Sequence, residues 1–428
     1  MLIKLKNTLD TALLLDEKFA AQTRREDFFI PQKNGKEVIY FTGNSLGLQP
    51  KSARKYIELE MTKWQENGVE GHFGIHEQWY DYHKMLRQPL ANLVGANPLE
   101  VVAMNTLTVN LHLLMASFFR PQGKRTKILM EASAFPSDQY VAESQSSFHG
   151  LDPEQNVVEF VPREGELILR TEDMVAKIKE VGDELALILL GGVNYYTGQF
   201  FDIEAISKAG HEVGAVVGLD LAHTVGNLPL KLHDWQIDFA AWCSYKYLNS
   251  SPGGISGVFV HQKHNQNPEL PRLTGWWGYE ESTRFKMKKG FVPEPNIDAW
   301  QMSNAPILLL AAHRAALEMI EEVGGVEALR HKSKALTGFL ESVILDISQE
   351  ENYPIQIITP SNQENRGCQL SLLVKKQGRT LFEKLEADGV IGDWREPDVI
   401  RLAPVPLYNT FEEMFEFGEM LRKAIQSL

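Results

Sequence analysis

A mostly parallel α/β sheet in a large domain, followed by a smaller α+β domain, is the fold class that the sequence predicts. Short apolar runs recur at Lys127–Met130, Leu185–Leu190, Ala215–Leu219, Phe239–Cys243 and Gly257–Val260, as expected of strands buried on both faces. Helical or loop segments separate these runs, the spacing that parallel strands need for their crossovers. Beyond residue 305 the pattern changes to long helices with two strand-like pieces, Ile355–Ile358 and Leu370–Val374, which reads as an α+β unit.

The elements follow in order from local patterning. From about Pro50 to Asn67 apolar residues recur at helical spacing, and Gly68-Val-Glu-Gly-His-Phe-Gly74 then reads as a loop. Helical periodicity returns from Leu107 to Phe118, ahead of the first strand. Ala305–Glu322 is a helix with Pro306 near its start and Gly324-Gly325 past its end, and it is expected to leave the large domain. Helices over Val326–Ile347 and Leu381–Asp388 complete the chain's second half. The predicted division is an N-terminal segment, 1–50, packing with the small domain; a large domain, 51–305; and the small domain, 306–428.

At 428 residues the chain holds two or three domain equivalents. Apolar residues at 43% and charged ones at 23% exclude a mainly disordered, collagenous or membrane-spanning chain. Lys and Arg number 43 against 56 Asp and Glu, a net charge of −13, which disfavours nucleic acid or anionic lipid as partners. Cys243 and Cys368 are too few for a disulfide framework and are not spaced as metal ligands, so a reducing cytoplasm and no metal are expected. The first residues, Met1-Leu-Ile-Lys-Leu-Lys6, interleave charge with apolar side chains. No apolar run approaches the ~18–20 residues of a membrane helix, so neither secretion nor insertion is expected.

Chemistry concentrates between Val216 and Gly257. The strand Val216-Val-Gly-Leu219 ends in Asp220, with His223 three residues on; an acid at the carboxyl end of such a strand lies where open α/β sheets bind ligands. An acid there can also simply cap the next helix. Ser244-Tyr-Lys-Tyr-Leu-Asn249 places Lys246 just past another apolar run, before the Gly-rich Ser250–Gly257. A lone lysine is usually a solvated charge, but one at a strand end can serve as a Schiff-base residue. Together the two residues suit pyridoxal phosphate: the lysine holds the aldehyde, and the acid keeps the pyridine nitrogen protonated. Asn105-Thr-Leu-Thr-Val-Asn110 opens a helix whose free backbone donors suit the phosphate, although an ordinary N-cap has the same appearance.

The resemblance is then specific. Tyr40-Phe-Thr-Gly-Asn-Ser-Leu-Gly-Leu-Gln-Pro50, Leu107-Thr-Val-Asn-Leu-His112, Phe135-Pro-Ser-Asp138, Tyr196-Thr-Gly-Gln199, Asp220-Leu-Ala-His-Thr-Val-Gly-Asn227, Ser244–Asn249, Ser282-Thr-Arg-Phe-Lys-Met287 and Arg401-Leu-Ala-Pro-Val-Pro-Leu-Tyr408 closely resemble kynureninase. The resemblance implies the fold-type-I architecture of pyridoxal-phosphate enzymes, with a seven-stranded sheet in the cofactor-binding domain, and a homodimer with active sites at the interface. It implies hydrolysis of L-kynurenine, or of 3-hydroxy-L-kynurenine, to anthranilate or 3-hydroxyanthranilate and L-alanine, in tryptophan catabolism through the kynurenine pathway or in NAD biosynthesis. Lys246 matches the Schiff-base lysine and then the base at Cα, and Asp220 the partner of the pyridine nitrogen. Phe135 matches the ring stacked on the cofactor, with Asp138 and His223 beside it. Leu107, Thr108 and Tyr245 match the phosphate site, completed by Trp276 and Asn304 of the second subunit. Tyr245 is also a candidate for proton transfer. Arg401 matches the clamp on the substrate carboxylate, and His72 and Asn304 lie at positions that face the aryl ring in the family.

One departure is visible: Gly191 stands where many relatives carry serine before Gly-Val. The alternative is another enzyme of the same fold, a cysteine desulfurase or an aminotransferase. A desulfurase needs a mobile reactive cysteine, whereas Cys243 lies in a predicted buried strand. A dehydrogenase is disfavoured because the Gly-rich stretch lacks the strand, G-x-G-x-x-G and helix order. A silent binding protein would not need Lys246, Asp220 and Arg401 together.

Overall fold

The apolar runs become the core strands of one seven-stranded sheet. In the structure, a computed structural model describing residues 7–265, 267 and 269–428, the strands are β1 Val101–Ala103, β2 Lys127–Glu131, β3 Val157–Phe160, β4 Leu185–Gly191, β5 Val216–Asp220, β6 Phe239–Cys243 and β7 Ser256–Val260. Their spatial order is β1-β7-β6-β5-β4-β2-β3. Pairing is parallel from β6 through to β3, and only β7 runs antiparallel to its neighbours, β6 and β1. Every residue of β4, β6 and β7 is buried, so these segments are mainly apolar runs instead of alternating ones. β1 and β3 have no counterpart among the predicted runs. β1 has three residues, and β3 carries only one fully buried side chain.

The helices that frame the site and the second core are α1 Leu9–Lys18, α2 Lys51–Asn67, α3 Leu107–Phe118, α4 Pro136–Phe148, α5 Ile307–Glu322, α6 Gly325–Glu350, α7 Gly378–Asp388 and α8 Phe411–Gln426. α5 does not leave the large sheet as expected. Its Leu310, Leu317 and Ile320 join the core that contains β4 and β5, as do Val326 and Leu329 of α6. A second core begins only at Leu336 and gathers Phe339, Leu381, Phe411 and Phe417 with Ala12, Ile39 and Phe41 from the start of the chain.

That second core backs a four-stranded antiparallel sheet of β8 Gln356–Ile357, β9 Leu370–Leu373, β10 Asp393–Arg395 and β11 Val399–Leu402, ordered β8-β9-β11-β10. Lys332 of α6 is fully buried and staples three segments: its Nζ donates to Thr23 Oγ1 at 2.8 Å, to the carbonyl of Pro406 at 2.6 Å and to that of Asn409 at 2.8 Å. The turn after β11 is thereby tied to α6 and to the N-terminal segment. No helix among the described residues is long and apolar enough to cross a membrane.

Candidate active site

The carboxyl ends of β2, β4 and β5, together with the segment after β6, open onto a cavity of about 370 Å³, the place where open α/β sheets take ligands. Asp220, the last residue of β5, is 6% exposed and accepts the Ala222 N–H at 2.8 Å. Its neighbour is Asp138, in the first turn of α4 and equally buried. Burial, the Asp220 charge and a hydrogen bond to Asp220 push the Asp138 carboxyl well above the usual range. Burial also raises Asp220, but the Asp138 bond, the Ala222 N–H and Lys246 act against it. Asp138 is therefore the protonated partner and donates to Asp220, which is the anion.

Lys246 lies three residues past β6, with its Nζ 3.1 Å from His223 Nε2 and 5.9 Å from the centre of the Phe135 ring. Burial, reinforced by the charges of Lys246 and Arg401, holds His223 well below its ordinary pKa, so its Nε2 accepts from Lys246. The other ring nitrogen, Nδ1, is buried with no partner among the described residues. The Tyr40–Pro50 motif packs on the lysine segment: the Gly47 N–H donates to the Tyr245 carbonyl at 2.8 Å, and a Cβ on Gly47 would lie 2.3 Å from the Lys246 carbonyl oxygen. Tyr245 lines the cavity, and burial together with the neighbouring Cys243 pushes its phenol up.

Leu107 and Thr108 open α3 at the cavity edge. The Thr106 side chain makes no capping bond there, so the first-turn N–H groups are left without a side-chain cap at residues that line the cavity. Arg401, from β11, reaches the cavity wall while only 1% exposed; its Nη1 donates to the Tyr195 carbonyl at 2.6 Å. Burial lowers its pKa to about 10.

Leu107, Thr108, Phe135, Asp138, Asp220, His223, Tyr245, Lys246 and Arg401 thus line one cavity. His72, Trp276 and Asn304 do not. His72 sits on a 3₁₀ turn with Nδ1 3.0 Å from the Val69 carbonyl oxygen and its ring edge-on to Trp79. Trp276 is 49% exposed against Phe285, and Asn304 is exposed ahead of α5.

Sequence reasoning missed two ionisable groups in the wall, Glu131 and Arg395. Glu131 ends β2 just as Asp220 ends β5, so the same strand-end argument finds it once the strand is drawn one residue longer. Its oxygens accept the Gly191 N–H at 3.3 and 3.2 Å, and burial raises its pKa to about 7. A Cβ on Gly191 would stand 2.8 Å from Glu131 Oε1. The slot that a serine side chain would need is taken by this carboxyl. Arg395 lies in the three-residue β10, too short to show a period.

Both cysteines are free and buried. Burial raises the thiol of Cys243, and that of Cys368 to about 12, which is the opposite of an activated nucleophile.

Residues 329–421 match the family described as the kynureninase C-terminal domain. A kynureninase from Christiangramia forsetii is 55% identical over 425 residues, 99% of this chain and 100% of that protein. One from Flavobacterium psychrophilum is 55% identical over 420 residues, covering 98% and 99%. Among solved structures, an apo cysteine desulfurase from Thermococcus onnurineus superposes with a TM-score of 0.77 at 18% identity, over 95% of this chain and 98% of that one, a likeness of fold. With more than half of its residues identical to those of kynureninases along nearly its full length, this chain belongs to the kynureninase family.

Proposed function

We propose that the cavity around Lys246 is where this chain, a pyridoxal-phosphate enzyme, hydrolyses L-kynurenine or 3-hydroxy-L-kynurenine to the anthranilate and L-alanine. The observation that carries this assignment is the convergence of Lys246, Asp220 and the uncapped start of α3 on one cavity, with Arg401 in its wall.

The residues present fit the cofactor. The free N–H groups at Leu107 and Thr108 suit a phosphate, the Asp220 anion suits a protonated ring nitrogen, and His223 Nδ1 is a buried polar atom with no partner among the described residues. Phe135 offers a ring face within reach of Lys246. When bound, pyridoxal phosphate supplies an electron sink for bonds broken at the substrate amino acid. Lys246 Nζ takes the proton from the substrate Cα. Water supplies the oxygen that leaves in the anthranilate carboxyl, and Tyr245, its phenol kept protonated by burial, would give a proton to the Cβ that retains the electron pair and becomes the alanine methyl, or binds phosphate. Arg401 orients the α-carboxylate through its planar fork.

His72, Trp276 and Asn304 act from a second copy of the chain in this reading. Supporting it, Phe73, Trp276, Phe285 and Met287 form an exposed ridge, 47%, 49%, 51% and 69% accessible, with Phe285 packed against both Phe73 and Trp276. A large apolar patch of this kind marks an interface. In this reading the large, cofactor-binding unit runs over about 51–330 and the small unit follows it, supported by the two cores, which divide the first 50 residues: Ala12, Ile39 and Phe41 pack with the small unit, Phe28 and Leu48 with the large. Two free buried thiols suit the reducing cytoplasm.

The test is direct. The purified protein with pyridoxal phosphate should show the visible absorbance of a lysine-bound cofactor and release fluorescent anthranilate from L-kynurenine. K246A should lose both while remaining folded. A protein that stays colourless with added cofactor, or a K246A variant with full turnover, defeats the assignment.

A further inference from the structure

Three charged side chains meet on one face of the small sheet. β10 and β11 pair antiparallel with Asp393 directly opposite Arg401, and residues two apart on a strand share a face, so Arg395 joins them. Asp393 Oδ2 is 3.0 Å from Arg395 Nη2 and also contacts Arg401 Nη2. One carboxylate oxygen therefore serves two guanidinium groups. The Tyr195 ring lies 5.9 Å from the Cζ of each arginine, and its backbone carbonyl accepts a hydrogen bond from Arg401 Nη1.

What remains is informative. The Nε of Arg395 and the Nε of Arg401 are both buried with no hydrogen-bond partner among the described residues. Both arginines line the cavity that holds Lys246. Two guanidinium groups against one carboxylate leave one positive charge, and Arg395 lines the cavity with its side chain 36% exposed and its Nη1 unpartnered among the described residues. A second carboxylate has the charge and the acceptors to meet it.

We infer that Arg395 is a second contact for the substrate α-carboxylate, joined to Arg401 by Asp393, which neutralises one of the two positive charges and so fits the site to a single carboxylate. This rests on the assignment of Arg401 as the carboxylate clamp. Arg395 makes the site a two-guanidinium fork, and Asp393 acts through the arginines by offsetting one of their two charges.

The experiment compares R395M, R395K, R401M and D393N holoenzymes with the parent, each checked for the visible absorbance of bound cofactor. Spectrophotometric titration uses L-alanine, the product that keeps the α-carboxylate, against ethylamine, which lacks it. R395M should weaken L-alanine about 10-fold to 100-fold, the size of a charge-assisted bond, and leave ethylamine unchanged. KM for L-kynurenine should rise by a similar factor while kcat moves less than about threefold. R395K should recover part of the loss, because it restores charge without the fork. D393N should bind L-alanine more tightly, because the competing anion is gone. If R401M weakens L-alanine but R395M does not, the inference is overturned and Arg401 alone is the clamp. If R401M has no effect, the underlying assignment of Arg401 fails. Equal loss of alanine and ethylamine in R395M, or weaker alanine binding in D393N, also overturns it.

Discussion

Glu131→Gln should make the protein more stable at pH 8 than at pH 5 relative to the parent. In the folded chain this carboxyl keeps its proton up to about 7, against an ordinary value of 4.5. The unfolded chain gives it up earlier, so between those values the folded state binds more protons, and stability falls as pH rises. The contribution is fully present below about pH 4.5 and is lost as pH passes through 7. At about 1.36 kcal/mol per pH unit the whole gap is worth ~3 kcal/mol, and about 2–3 kcal/mol of it falls between pH 5 and pH 8. Glutamine keeps an acceptor for the Gly191 N–H and cannot ionise, so its variant escapes this loss. It also removes one of the charges that raise Asp138, which acts in the same direction. Urea unfolding of the cofactor-free protein at the two pH values measures the difference. Midpoints that move in parallel for parent and variant, or a variant weakened specifically at pH 8, would falsify the picture of a buried, reluctantly ionised Glu131.

Other expectations rest on the same contacts. Gly191→Ser must displace the Glu131 carboxyl, because the new Cβ would lie 2.8 Å from Oε1. We expect a loss of ~1–3 kcal/mol, largely relieved in the double variant with Glu131→Ala; additive effects in that cycle would disprove the contact. Trp276→Glu, placing charge on the exposed aromatic ridge, should shift sedimentation towards the monomer and lower turnover; a variant that remains dimeric and active removes that ridge from the interface. In native protein neither Cys243 nor Cys368 should react quickly with a thiol reagent, and both should do so in urea; a fast native thiol would reopen the desulfurase alternative.

The parts of the fold legible in the sequence are those where burial leaves a continuous local trace. β4, β5 and β6 are apolar runs because the sheet covers them on both faces, and the acid that ends β5 stands out against that run. β1, β3 and β10 are illegible because three or four residues at a sheet edge carry no period. The packing of α5 escapes the sequence for a different reason. Its apolar residues and flanking Pro306 and glycines announce a helix, but which of two cores receives Leu310 and Leu317 is decided by residues distant in the chain. Within the site, Lys246 and Asp220 are legible as a pair because one cofactor needs both. Arg395 is not, since what sets it beside Arg401 is the cross-strand register of Asp393 with Arg401.

The net charge of −13 looks ill-suited to ligands that carry a phosphate and a carboxylate. Burial changes the local balance. Three acids line the cavity, Asp138, Asp220 and Glu131, beside Lys246, Arg395 and Arg401. Desolvation raises all three carboxyls, Asp138 well above its usual range and Glu131 to about 7, while the Asp138 bond, the Ala222 N–H and Lys246 act against burial at Asp220. Asp393 offsets one arginine from just outside the wall. The pocket's surplus of positive charge is therefore produced by dehydrating carboxyls, not by adding cations, and it shrinks as Glu131 ionises. Composition alone carries no sign of this, because it counts every acid as charged.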